Sequence, residues 1–384
     1  MPRKIAVVTG TRAEYGILRS VLRAVRAQRG LELKVIATGM HLSHEFGYTV
    51  DEIIKDGFDI AARVEMVPAD DTPAAAARSV GQGITGMTDA FQKLQPDIIV
   101  VLGDRTEPLA AAVAGAYMNI PVAHIHGGDN PQSGLDENAR HAITKMAHIH
   151  FPATKKSAER IIKMGEDEWR VHIVGSPALD EILNEALIEP ETIARQYNID
   201  LNHPLILIVQ HPVSTEPEKA AGQVTQTLEA AAASGFQVIV VYPNSDAGGR
   251  SIITVINDYV NRFPIIKSYP SLPRREYLSL LKIARVMAGN SSSGIIDAPS
   301  FGLPVINIGT RQAGRERGGN IIDVDYNKGE ILKAINRAVT DNKFRDRVKR
   351  GKNPYGDGRA GVRIAGILAD TEITPPLLQK KITY

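Results

Sequence analysis

The stretch "KIAVVTGTRAEYGILRSVLRAVRAQRGLELKVIATG", residues 4 to 39, carries the pattern from which the fold is read. A short run rich in Val and Ile stops at Gly10. An amphipathic segment over 14–28 follows, and a second apolar run, 33–39, again ends in Gly. Strand, helix and strand at this spacing make a parallel βαβ unit, because parallel neighbours need a long crossover that a helix supplies. Runs apolar at successive positions suit strands buried on both faces.

The same alternation fills the rest of the chain. "DIIVVLGD" (97–104), "PVAHIH" (121–126) and "RVHIVG" (170–175) extend the first series of predicted strands. "PLILIVQH" (204–211), "FQVIVVYP" (236–243), "ARVMAGN" (284–290) and "PVINIG" (304–309) form a second. Amphipathic stretches at 73–95, 107–118, 153–165, 217–233 and 328–339 are the helices between them. The expected class is α/β, with two Rossmann-like doubly wound domains facing a central cleft. At 384 residues the length also favours two cores. The expected division is residues 1–178 and 179–359, with a last helix in the tail 360–384 crossing back to the first domain.

Composition narrows the function classes. Hydrophobic residues make up 43% and charged residues 23%, as in an ordinary globular protein, and the net charge is +2. Neither nucleic acid nor a membrane surface is called for by that balance. No cysteine is present, which excludes disulfides, zinc–thiolate sites and thiol nucleophiles. The opening Met-Pro-Arg-Lys leads into too short an apolar run for a signal peptide, so the expected location is cytoplasmic.

Several predicted strands end in loops fit for anions. "TGTRAEYG" (9–16) opens a helix and offers an anion backbone N–H groups and the Arg12 guanidinium, although a capped turn satisfies it equally. "GNSSSGIID" (289–297) presents Ser291, Ser292 and Gly294 to a phosphate, and Asp297 to sugar hydroxyls; a simple N-cap needs only one of those serines. "NIGTRQAGRERGGN" (307–320) repeats the Gly-Thr-Arg of residues 10–12, with Arg311, Arg315 and Arg317 suited to a diphosphate. "GDRTE" (103–107) places Asp104, Arg105 and Glu107 at a strand end. "QHP" (210–212) places His211 and "YPNSDAGG" (242–249) places Asn244 and Asp246 at two others.

Five of the ten histidines lie within 121–151. His124 and His126 are expected on one strand face with Asp129 close by, a set able to hold zinc or manganese. Glu137, His141, Lys145 and His148 fall on one predicted helical stripe, where a lysine opposes a divalent ion. The preferred reading is an acid–base and anion-holding cluster without metal, with His148 or His150 packed in the core.

The loops taken together resemble the UDP-N-acetylglucosamine 2-epimerase family, and most closely its hydrolysing branch. The carriers are "TGTRAEYG", "GDRTE", "AHIHGGD", "DENARHAITKMAHIHF", "VGSPALD", "HP", "YPNSDAG", "NSSSGI" and "PVINIGTRQAGR", in family order from residue 5 to about 320. The resemblance implies two Rossmann-like domains in a GT-B-like arrangement. It also implies conversion of UDP-N-acetylglucosamine, or a UDP-2,4-diacetamido sugar, into UDP and the free 2-epimer. UDP would leave as C2 loses its proton, and water would then add across the resulting glycal.

Carried over position by position, Arg12, His211, Asn244, Ser291, Ser292, Asp297 and Arg311 match UDP-binding positions, and Tyr269 falls near the uracil contact. Asp297 stands where the family pattern has Glu. Asp104 and Asp136 match two of three acidic catalytic positions; at the third, His126 replaces Glu, with Asp129 three residues on. Arg140 lies one helical turn from Asp136.

The expected catalytic set is thus Asp104, His126, Asp136 and His211. The expected substrate-binding set adds Arg12, Glu14, Arg105, Asp129, Arg140, Asn244, Tyr269, Ser291, Ser292, Gly294, Asp297 and Arg311, with no metal and no cofactor. A homodimer or homotetramer, and a place in sialic or related nonulosonic acid synthesis, are implied by the resemblance alone. Positions of end-product inhibition are only partly matched, by Arg250 and Lys267, with Ser268 in place of a His. A non-hydrolysing epimerase, a glycosyltransferase and a non-catalytic nucleotide-sugar sensor remain as alternatives.

Overall fold

The computed structural model of the chain describes residues 2–45, 47–67, 72–129, 135–213, 215–244 and 246–383, with the backbone alone for Leu135 and Asp136. Two compact units emerge. The first comprises Met1–Asn130, Asp136–Leu183 and Tyr355–Tyr384; the second contains Asn184–Pro354.

Six parallel strands form the sheet of the first unit: β1 (Arg3–Thr9), β2 (Leu31–Thr38), β3 (Ile60–Val64), β4 (Ile98–Leu102), β5 (Val122–Ile125) and β6 (Ile149–Phe151). Their order is β3-β2-β1-β4-β5-β6. The second sheet holds β7 (Leu205–Val209), β8 (Gln237–Val241), β9 (Ile266–Tyr269), β10 (Val286–Gly289), β11 (Val305–Ile308) and β12 (Ile321–Val324). It runs β12-β11-β10-β7-β8-β9, which is the same order counted from its own first strand. Each sheet is therefore doubly wound, with one reversal of strand order, between β1 and β4 and between β7 and β10.

Alternate residues of each strand feed opposite faces. Ile5 and Val7 of β1, with Val35 and Val100, pack under the helix Arg12–Ala27 through Leu18, Val21 and Leu22. Ala6, Val8, Ile36 and Ile99 face Met87 and Phe91 of the helix Pro73–Leu94 on the other side. In the second sheet, Ile206, Val238 and Ile306 pack against Val224, Ile252 and Ile335.

The predicted strand at 170–175 does not form. Only one bridge pairs this segment with β6, between His150 and Val171. A 3-10 turn (Glu168–Arg170) precedes it and Gly175 turns it away at φ +87°. The three-residue strand β6 takes the edge position instead.

The tail belongs to the first unit. Helix Ala360–Asp370 puts Ile364, Ala365 and Leu368 into the core of the first sheet. Its first N–H groups are met from outside by one carboxylate. Asp180 Oδ1 accepts from Ala360 N at 2.9 Å and Oδ2 accepts from Gly361 N at 2.7 Å. Asp180→Ala leaves both donors unmet and is expected to cost about 1–2 kcal/mol. A thermal melt followed by circular dichroism should show Tm lower by roughly 3 °C. An unchanged Tm would mean that water replaces the cap without loss.

Candidate active site

Ligands of open α/β sheets bind beyond the carboxyl ends of the strands, where strand order reverses. In the first sheet this selects the loops after β1 and β4. Thr11 caps the helix Arg12–Ala27, its Oγ1 accepting from Glu14 N at 3.2 Å. The Glu14 carboxyl folds back and accepts from Gly10 N at 2.6 Å, buried. Glu107 reaches the same place from the helix after β4: a Cβ added at Gly10 would lie 2.5 Å from Glu107 Cγ, so Gly10 is small of necessity. Burial first, and the Glu107 carboxyl second, push the pKa of Glu14 up to about 8. Glu14 thus builds the loop from within. Arg105 Nε lies 3.3 Å from Glu107 Oε2, and Arg12 pairs with Glu52.

Asp104 follows β4 and pairs with the Arg140 guanidinium. Arg140 is 2% exposed and also donates from Nη1 to the His126 carbonyl at 2.7 Å. One buried cation therefore ties the loop after β4 to the loop after β5. Asp136, at the start of the helix Leu135–Met146, has its carboxylate outside the described residues.

The histidines separate into different tasks. β5 ends at Ile125 and His126 has φ +62°, so His124 and His126 do not share a strand face as the sequence suggested. His124 is wholly buried, with Nε2 2.7 Å from the Gly103 carbonyl and Nδ1 3.2 Å from Thr144 Oγ1. Burial lowers its pKa to about 3, so it is a neutral prop under the Asp104 loop. His126 lies between Asp129 Oδ2, 3.3 Å from Nδ1, and Ser176 Oγ, 3.0 Å from Nε2.

The helical stripe predicted for residues 137–148 stops early, because the helix ends at Met146. His148 instead accepts from Val122 N at 3.1 Å, and burial lowers its pKa to about 4. His141 Nε2 is 3.4 Å from Glu137 Oε1. Lys145 is engaged by buried Glu166 at 2.5 Å and is not offered to an anion. Glu166 also meets His150 at 3.1 Å and Lys380 at 2.6 Å. Burial alone would raise the Glu166 pKa; His150, Lys145 and Lys380 together bring it to about 2. Lys380 further donates to the Lys145 carbonyl at 2.8 Å, so the tail holds the end of the helix that carries Arg140. None of the described residues forms a group of three His, Asp or Glu placed to hold a metal ion.

In the second sheet the loops after β7 and β10 are joined by Asn290. It accepts from His211 N at 2.7 Å and returns its Nδ2 to the His211 carbonyl at 2.9 Å. His211 Nδ1 accepts from Asn244 N at 3.1 Å, and Asn244 Nδ2 donates to Asp246 at 2.5 Å. Arg311 reaches the Asn290 carbonyl at 3.4 Å. β10 ends at Gly289 with φ +124°, where an added Cβ would lie 2.1 Å from the Val209 carbonyl oxygen. The loops meet this closely only because that residue is Gly.

The helix after Ser291 and Ser292 is one short turn, Ser293–Ile296, with Gly294 packed on Val305 of β11. Asp297 is buried, and its Oδ2 accepts from Arg274 at 2.9 Å and Ser293 Oγ at 2.7 Å. Tyr269 closes β9 with its ring edge-on to Tyr197, 4.9 Å between centroids. Lys267 donates to the carbonyls of Tyr197 and Asn198.

Ser176, Glu166, Lys380 and Asn290 carry none of the roles expected from sequence. Asn290 and Ser176 sit inside quoted motifs; Lys380 lies far from any.

Residues 23–369 match the family model described as UDP-N-acetylglucosamine 2-epimerase. The chain belongs to that family. A hydrolysing UDP-N,N'-diacetylbacillosamine 2-epimerase from Legionella pneumophila is 39% identical over 384 residues, covering 100% of both chains. A hydrolysing GDP/UDP-N,N'-diacetylbacillosamine 2-epimerase from Campylobacter jejuni is 36% identical, covering 85% of both. The crystal structure of UDP-GlcNAc 2-epimerase from Neisseria meningitidis bound to UDP-GlcNAc superposes with TM-score 0.82 at 19% identity, over 96% of this chain and 100% of that one. This epimerase-family chain thus has the family's fold along nearly its whole length. Among its described residues no helix is long and apolar enough to cross a membrane.

Proposed function

We propose that the chain is a hydrolysing 2-epimerase that converts a UDP-2,4-diacetamido-trideoxy sugar into UDP and the free 2-epimeric sugar. The observation that carries this reading is Arg140, buried, holding Asp104 and the backbone of His126 together at the strand-order reversal of the first sheet. That arrangement ties the loop bearing the Asp104 carboxylate to the loop bearing the His126 imidazole, the two kinds of group that move protons near neutral pH. The substrate class is favoured by the full-length relative from Legionella and by the relative from Campylobacter, both named for diacetylbacillosamine.

In the second sheet Ser291, Ser292, Asn244, His211 and Arg311 would receive UDP, where backbone donors and a guanidinium suit a departing diphosphate. Asp104 and His126, with Asp136, would exchange protons at C2 as the C1–O bond breaks. Water then adds at C1.

Proton NMR in D2O tests this, with the UDP-diacetamido sugar and UDP-N-acetylglucosamine in separate runs and no acceptor. UDP and a free 2-epimer deuterated at C2, formed faster from the diacetamido sugar, are expected. A product still joined to UDP would make the enzyme a non-hydrolysing epimerase. Equal or faster turnover of UDP-N-acetylglucosamine would overturn the substrate class alone.

A further inference from the structure

His126 is held from every side. Its amide donates to the Phe151 carbonyl at 3.1 Å and its carbonyl accepts from Arg140 at 2.7 Å, which fixes the backbone at φ +62°. Asp129 is held as firmly: Oδ1 accepts from Ser157 Oγ at 2.9 Å, leaving Oδ2 toward His126 Nδ1 at 3.3 Å. On the far side of the ring, Nε2 meets Ser176 Oγ at 3.0 Å. Ser176 is fixed in turn, because its amide donates to the Tyr355 carbonyl at 2.7 Å. Ser176, His126 and Asp129 are 1%, 5% and 4% exposed, so bulk water does not compete for these contacts.

A carboxylate facing Nδ1 keeps the imidazole proton on that nitrogen. Nε2 then carries the lone pair, and Ser176 Oγ is the donor to it. The order is hydroxyl, imidazole, carboxylate, an arrangement that moves a proton through the hydroxyl and stabilises the imidazolium that forms.

We propose that Ser176, His126 and Asp129 form a proton relay that removes the C2 proton of the sugar; this rests on the epimerase reading above. Ser176 Oγ takes the C2 proton as its own hydroxyl proton passes to His126 Nε2. The C2–H electron pair becomes the C1=C2 bond, and the C1–O pair leaves with UDP. The imidazolium keeps its Nδ1 proton against Asp129. Water then adds its hydroxyl at C1 as a different acid protonates the opposite face of C2, and the water's remaining proton restores that acid. His126 finally returns its extra proton to solvent, which accounts for the proton released by the net hydrolysis. Asp129 is a positioning residue in this scheme, since it acts only through the ring.

The test combines ring-15N NMR with steady-state kinetics on the full chain. His126, assigned by the signal lost in His126→Asn, should show a protonated Nδ1 and an unprotonated Nε2. Asp129→Asn, whose amide can donate to Nδ1, should move the proton to Nε2 and lower kcat about 10²-fold or more, with KM within a few-fold. Ser176→Ala should leave the tautomer in place and lower kcat by about 10²-fold, and Ser176→Thr should restore part of it. Wild-type kcat in Ser176→Ala, an unmoved tautomer in Asp129→Asn, or a sugar found covalently on Ser176 by intact-mass analysis would each overturn the relay. Should the wild-type enzyme release no UDP from either sugar, the epimerase reading and the relay's chemical step fall together. The tautomer shift in Asp129→Asn would still decide the orienting role of Asp129.

Discussion

Asp104→Asn is expected to lower UDP release by roughly 10³-fold while UDP itself still binds. The carboxylate sits at the carboxyl end of β4, 19% exposed, against an Arg140 side chain that is 3% exposed. Asparagine keeps the shape and one acceptor for Arg140 but cannot carry a proton. The loss should therefore appear in kcat, with little change in KM. The proposed UDP-binding residues belong to the other sheet and are untouched. Removing the charge also takes one anionic partner from a buried guanidinium, and because Asp104 meets solvent the cost should stay near 1–3 kcal/mol. Circular dichroism and titration calorimetry with UDP separate the two effects. Retained activity would remove Asp104 from the chemistry. Lost UDP binding would mean that the substitution disturbs more than proton transfer.

The inner strands were legible because they are buried on both faces: β1, β4, β7 and β10 read as apolar runs, and the Gly, Asp or His at their ends located the loops. The edge strands were not. β3, β9 and β12 are half-exposed along most of their length, so Lys267 or Asp323 interrupts any run and no pattern remains. The same distinction divides the site. Asp104 and Arg140 stood out because each lies in a motif of its own. Ser176 reaches His126 across 50 residues and Lys380 reaches Glu166 across more than 200, distances at which spacing carries no signal. The histidines misled for a local reason. Alternation put His124 and His126 on one face, but the chain leaves the sheet at Ile125, and a positive φ at His126 sends its side chain elsewhere.

Glu14→Gln is expected to stabilise the enzyme increasingly as the pH rises. The Glu14 carboxyl is buried beside Glu107, and its pKa lies near 8 in the folded chain against an ordinary value of 4.5. Below about pH 4.5 folded and unfolded chains both hold the proton, and the group adds no pH dependence. Between about 4.5 and 8 only the folded chain holds it, so the unfolded state binds fewer protons and stability falls with rising pH. The slope is about 1.4 kcal/mol per pH unit, and the total across the window is on the order of several kcal/mol. Glutamine removes that slope. Its carbonyl still accepts from Gly10 N, and its amide can donate toward Glu107. Thermal melts of both proteins should nearly coincide at pH 5 and separate by roughly 10 °C at pH 8, with the variant higher. Effects of other titrating groups are shared by the two proteins and cancel in that difference. A gap that stays constant from pH 5 to 8 would mean that Glu14 is ionised throughout. In that case the loop after β1 would be held by a carboxylate anion, and burial would be opposed by charges stronger than the Arg105 guanidinium alone.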